Sequence, residues 1–162
     1  MTWSKWVGAV CVVAALFGYV AEAGAQASGG NPLPRLAGHW SGRGTITMDD
    51  GTRERIRCLA DYSPEGENMR IGLRCASDSY QFELTSHVVY ADGQISGNWD
   101  ETTHSAAGTL SGTASPSLIR LRAAGPTFAA LISISVHPTS QLVSIRSPGS
   151  KMSDVAITLS RK

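Results

Sequence analysis

The chain has 162 residues, and its 14 Lys and Arg nearly balance its 13 Asp and Glu, leaving a formal charge of +1. That balance lacks the basic surplus of a nucleic-acid-binding protein. Abundant Gly, Ser, Thr and Ala favour tight turns and solvated sheet faces over helices.

The first residues read as an export signal. Lys5 supplies a weakly basic start, and Val7 to Val20 is apolar apart from Gly8 and Gly18. Ala23-Gly24-Ala25 and Ala25-Gln26-Ala27 then place small residues where a signal peptidase cuts. The run is shorter than the roughly 20 apolar residues of a spanning helix. Residues 1–27 are therefore expected to be removed after Ala27, with Ala25 as the alternative. The expected location is the periplasm or the medium. Residues 28–37 read as a flexible Gly/Pro-rich segment in which Pro32 and Pro34 block regular structure. The remainder, 38–162, is long enough for one domain with its own core.

From Trp40 onward the hydrophobic pattern has period two. Trp40, Gly42, Gly44, Ile46 and Met48 share a face, and Asp50-Gly51 signals a hairpin. Ile56, Cys58, Ala60 and Tyr62 share a face of the next strand, and Met69, Ile71, Leu73 and Cys75 of the one after. The turn at Ser63-Pro64-Glu65-Gly66 brings these two strands together. Cys58 and Cys75 then face each other and read as a disulfide in an exported protein. Tyr80, Phe82 and Leu84 begin a strand that runs on to Tyr90, and Asp92-Gly93 turns the chain. Ile95, Gly97, Trp99 and Glu101 follow, then strands at 108–113 and 118–122. After Gly125-Pro126 come Phe128 to Val136, Val143 to Ile145 and, past Pro148-Gly149, Val155, Ile157 and Leu159.

Eight to ten short strands without a helical stripe predict an all-β antiparallel up-and-down barrel. Glycines inside the strands suit its tight coiling. With an even strand number, the start of the first strand lies beside the end of the last. Trp40 and Arg161 are then neighbours, and the guanidinium can close that end over the indole face.

Leu36-Ala37-Gly38-His39-Trp40 resembles the Gly-x-Trp opening of the calycin superfamily, which includes lipocalins, avidins and bacterial metalloprotease inhibitors. Arg161 is similar to the arginine that packs on that tryptophan. Closest in character are exported β-barrel proteins of alphaproteobacteria. The chain departs from lipocalins in lacking a helix after the barrel and the central Thr-Asp-Tyr type of motif. It departs from avidins in placing Ser41-Gly42-Arg43-Gly44 after the tryptophan, so biotin is not implied. Resemblance to the inhibitors implies that Ser28 to Leu36 can enter a protease cleft.

Chemistry-bearing motifs are sparse. His39, His87, His104 and His137 are scattered without metal-ligand spacing, and the best local cluster is His104 with Asp100 and Glu101. No Gly-x-Ser-x-Gly elbow or phosphate-cradling loop occurs. No enzyme activity, cofactor or metal is implied. Arg53, Arg55 and Arg57, with Arg74 on the next strand, form a basic band on the expected outer wall, suited to a soluble face or an anionic partner. The inward aromatics Trp40, Tyr62, Tyr80, Phe82, Trp99 and Phe128 are the candidate ligand-binding residues. The expectation is a monomeric, non-membrane barrel that binds a small apolar or amphipathic ligand. The alternative is a periplasmic protease inhibitor or envelope-associated interaction module.

Overall fold

A computed structural model describes residues 30–126 and 128–162; the expected leader, together with Ser28 and Gly29, lies outside these residues. Ten strands form one closed antiparallel barrel: β1 Gly38–Met48, β2 Arg53–Glu65, β3 Asn68–Ala76, β4 Gln81–Ala91, β5 Gln94–Glu101, β6 Ala106–Ser115, β7 Leu118–Ala124, β8 Ala129–Val136, β9 Ser140–Arg146 and β10 Met152–Arg161. Each strand pairs with its chain neighbours, and β10 pairs with β1. The count meets the upper bound read from the turn signals.

Period-two alternation sets the wall. On β2, Ile56, Cys58, Ala60 and Tyr62 are buried while Arg53, Arg55 and Arg57 are exposed. A one-residue slip would turn that apolar set to solvent, so the pattern fixes the register. Asp92 and Gly93 both have positive φ and form the two-residue loop between β4 and β5, the conformation that matches strand twist in a tight hairpin. Gly42 has a different role. A Cβ there would collide with the Thr158 carbonyl of the neighbouring strand, so the sheet coils at the β1–β10 seam only because the residue has no side chain. Cys58 and Cys75 face each other across β2 and β3 and form a disulfide spanning 17 residues. Closing a loop of this size stabilises the fold by about 3 kcal/mol in the chain-entropy picture.

Residues 30–37 depart from the irregular lead-in expected for the segment 28–37. A single helical turn, α1 (Leu33–Leu36), follows Pro32 at its N-cap and carries Pro34 in its first turn. Proline suits that place, because the first N–H groups of a helix have no intrahelical partner. Asn31 Oδ1 accepts one of them, from Leu33, at 3.0 Å. Leu33 and Leu36 are buried in the barrel core, each contributing roughly 1.5–3 kcal/mol of apolar burial. The N-terminal segment therefore plugs one end of the barrel.

Candidate functional site: an apolar cavity with one polar lip

The two ends of the barrel are built differently. At the plugged end Trp40 is 1% exposed and its Nε1 donates to the Leu36 carbonyl at 2.7 Å. Trp40 and Arg161 are register partners, and the guanidinium lies 4.4 Å from the indole centroid. Nη1 and Nη2 of Arg161 donate to the carbonyls of Ala37 and Arg35 at 2.6 and 2.5 Å, which lie at the C-terminal end of α1. Gly38, with φ of +112°, threads this corner; a Cβ there would sit 3.2 Å from Arg161 Nη1. Deeper in, the Tyr62 hydroxyl donates to Gln141 Oε1 at 2.9 Å, and burial pushes the phenol well above its ordinary range.

Between this plug and the opposite mouth lies a cavity of about 290 Å³, at the small end of ligand pockets. Leu33, Leu36 and Leu159 line it alongside aliphatic residues of the strands, among them Ile71, Ile132 and Val143. Five of the expected aromatics are on its wall: Tyr62, Tyr80, Phe82, Trp99 and Phe128. Trp40, expected with them, is not. Its inward position holds, but the α1 plug and Arg161 enclose it below the cavity, so it serves closure. Trp99 packs edge-on to Phe128, ring centroids 5.7 Å apart. Its indole N–H is buried with no hydrogen-bond partner among the described residues, an arrangement that costs about 1–3 kcal/mol when nothing accepts the proton.

The wall has two polar residues within the barrel, Tyr62 and Ser86, and a polar group at the mouth formed by Tyr80, Glu101 and His104. Glu101 is the last residue of β5, and its side chain is only 11% exposed. Its carboxylate accepts the backbone N–H of Glu83 (3.1 Å), Thr103 (2.9 Å) and His104 (2.8 Å), and His104 Nδ1 lies 2.8 Å from Oε2. Partial burial opposes the charge, but these hydrogen bonds outweigh it and hold the carboxyl down to about 2. The His104 ring stacks on Tyr80 with centroids 5.4 Å apart and planes at 19°. Tyr80 is set by its turn: its N–H donates to Ser77 Oγ, which also donates to Glu54 at 2.6 Å. Partial burial and the charge of Glu101 raise the Tyr80 phenol.

Of the local cluster read in the sequence, Glu101 is the carboxylate that pairs with His104; Asp100, one position out of phase, is exposed on the outer face. The stacking on Tyr80 has no sequence signal, since the two rings come from different turns. His39 pairs with Asp61, and His87 Nδ1 lies 3.7 Å from Glu65, both with exposed side chains; His137 sits in an exposed turn. No group of three His, Cys, Asp or Glu among the described residues can hold a metal ion. No Ser or Cys side chain among them is hydrogen-bonded to His104, so the dyad lacks the nucleophile of a hydrolytic triad.

The basic band lies on the outer wall. Arg53, Arg55, Arg57 and Arg74 are exposed, Arg43 faces Arg57 in register, and Arg74 Nε is 3.3 Å from Glu83. This polar wall is unlike the apolar belt of a membrane-spanning barrel. Among the described residues no helix is long and apolar enough to cross a membrane.

Two solved structures superpose on this architecture. Rv2717c from M. tuberculosis does so with a TM-score of 0.62 at 16% identity, over 80% of this chain and 94% of that one. The S-type phycobiliprotein lyase CPES from Guillardia theta gives 0.55 at 14% identity, over 80% and 90%. What the three chains share is the fold, a closed antiparallel barrel. No family model matches the sequence, and comparison with curated proteins finds no match. Identities this low carry the barrel architecture alone and leave the site to be argued from its own residues.

Proposed function

We propose that this calycin-like barrel is an exported, non-enzymatic binding protein that takes one small apolar or amphipathic molecule into its interior. The observation that carries the reading is the apolar cavity of about 290 Å³, closed at one end by α1 and Trp40 and lipped by Tyr80, Glu101 and His104 at the other. Tyr62, Tyr80, Phe82, Trp99 and Phe128 form its aromatic wall. The orphan Trp99 N–H adds support, because a guest with an oxygen acceptor would satisfy it. The Cys58–Cys75 disulfide fits an oxidising compartment, in keeping with a periplasmic or secreted location and with the resemblance to exported alphaproteobacterial barrels. A monomer suffices, since the cavity is built within one chain.

The rival reading, a protease inhibitor or envelope-associated module, is weakened by the burial of Leu33 and Leu36: a segment used as a plug is not free to enter a cleft. Its best remaining support is the arginine band. One of the superposed structures named above is a lyase by name; the dyad without a nucleophile favours binding here.

Native mass spectrometry of the full chain, recovered from the periplasm or medium of an exporting host, tests the reading. A retained small molecule, or a small apolar fluorescent probe bound at one site, is the expected result. Ala130→Leu, on the cavity wall, is expected to weaken probe binding by at least about tenfold, with a stability loss of no more than about 3 kcal/mol. A bare mass together with no probe binding sinks the proposal, and a co-purifying protease shifts it to the inhibitor reading.

A further inference from the structure

We propose that the guest held in the barrel ends in a hydroxyl group, an alcohol or a phenol, which donates a hydrogen bond to His104 Nε2 at the mouth. This inference rests on the binding reading above and names the chemistry of the guest's polar end.

Three backbone N–H groups and His104 Nδ1 converge on the Glu101 carboxylate. A carboxylate only accepts, so Nδ1 carries a proton, and in its neutral form the imidazole offers a lone pair on Nε2. Among the described residues Nε2 has no partner. The ring cannot swing freely to find one, because Glu101 fixes one edge and Tyr80 covers a face. His104, Tyr80 and Glu101 all line the cavity. The lip therefore presents an oriented acceptor next to an interior that is apolar apart from Ser86 and Tyr62, and its complement is a largely apolar body with a donor at one end.

Charge selects among donors and other heads. The turns at this end carry Asp49, Asp50 and Asp78 against Lys151, and Glu54 begins β2 beside Arg53. With Glu101 directly behind the ring, an anionic head meets repulsion. An ammonium gains little from Glu101, whose oxygens are already occupied, and loses its hydration at the lip. An uncharged hydroxyl meets neither cost.

A matched series on the full-length protein tests this: octanol, its isomer heptyl methyl ether, octanoate and octylamine, each displacing a bound apolar fluorescent probe. Octanol is expected to bind about tenfold tighter than the ether, the worth of one well-placed hydrogen bond. It is also expected to bind more tightly than octanoate and octylamine. His104→Phe keeps an aromatic ring to stack on Tyr80 but has no lone pair; it is expected to reduce the alcohol-to-ether ratio to about one while leaving ether affinity within about twofold. Equal binding of alcohol and ether to the wild-type protein overturns the proposal, as does a preference for octanoate or octylamine, or a ratio that survives His104→Phe. If none of the four displaces the probe, the cavity reading itself falls and this one with it.

Discussion

The plugged end and the mouth of this barrel use similar residues to opposite effect. Each has an aromatic ring in contact with a nitrogen-bearing side chain: Trp40 under Arg161 at one end, Tyr80 against His104 at the other. At the plug the indole N–H and both terminal guanidinium nitrogens of that pair are directed at backbone. Trp40 Nε1 reaches Leu36, and the guanidinium reaches Ala37 and Arg35. At the mouth only one side of the imidazole is used, and the other remains available beside an apolar hollow. Hydrogen bonds to backbone make the first a structural closure, and the open Nε2 position of the half-exposed imidazole makes the second a recognition element.

The sharpest way to break this comparison is at the plug. Trp40→Ala removes a ring that is 1% exposed and leaves the Leu36 carbonyl without its donor. A loss of about 3–5 kcal/mol is expected in urea unfolding. The equivalent truncation at the mouth, of the half-exposed His104 side chain, should move stability far less and guest binding far more. A Trp40→Ala loss below about 1 kcal/mol would show that the plug does not stabilise the fold.

A smaller effect comes from pH. The folded Glu101 carboxyl stands at about 2 against an ordinary value of 4.5, so the folded state favours its charged form. That contribution is fully present above the unfolded value and is lost as pH falls from about 4.5 through about 2. It is of the order of 2 kcal/mol. Wild type and Glu101→Gln are therefore expected to differ most in unfolding free energy at neutral pH and to converge near pH 2. A gap that stays constant across that window would mean the carboxylate's charge is not what its hydrogen bonds stabilise.

These contrasts were unequally legible in the sequence. A closed barrel of eight to ten strands, the facing cysteines and the Trp40–Arg161 adjacency follow from alternation and parity, because a side-chain period of two and an even strand count leave few arrangements. Inward direction says nothing about depth, however. Trp40 and Trp99 both point inward, yet only Trp99 reaches the cavity, because α1 occupies the end where Trp40 sits. The plug itself was hidden by Pro32 and Pro34, which read as breakers although the first turn of a helix accepts proline. At the mouth, parity distinguishes Glu101 from Asp100, since alternate residues on β5 face opposite sides. Tyr80 and His104 come from separate turns, and only the closed barrel stacks their rings.

The mildest test asks whether the two ends are energetically separate. Arg161 does three things at once: its face covers the Trp40 indole, and its two terminal nitrogens donate to carbonyls at the C-terminal end of α1. Those carbonyls have no further helical turn to satisfy them, and a cation is favoured there. Arg161→Met retains an apolar cover but no donor or charge, and a loss of about 1–2 kcal/mol is expected in urea unfolding. Arg161→Lys should recover less than half of that, because an ammonium lacks the planar fork that reaches both carbonyls while lying on the ring. Leu33 and Leu36 of the same turn floor the cavity. If closure and recognition are separate, probe affinity in Arg161→Met stays within about twofold of wild type, well under the effect of losing one hydrogen bond. A larger fall would mean that loosening α1 reshapes the floor, joining the two ends through the plug.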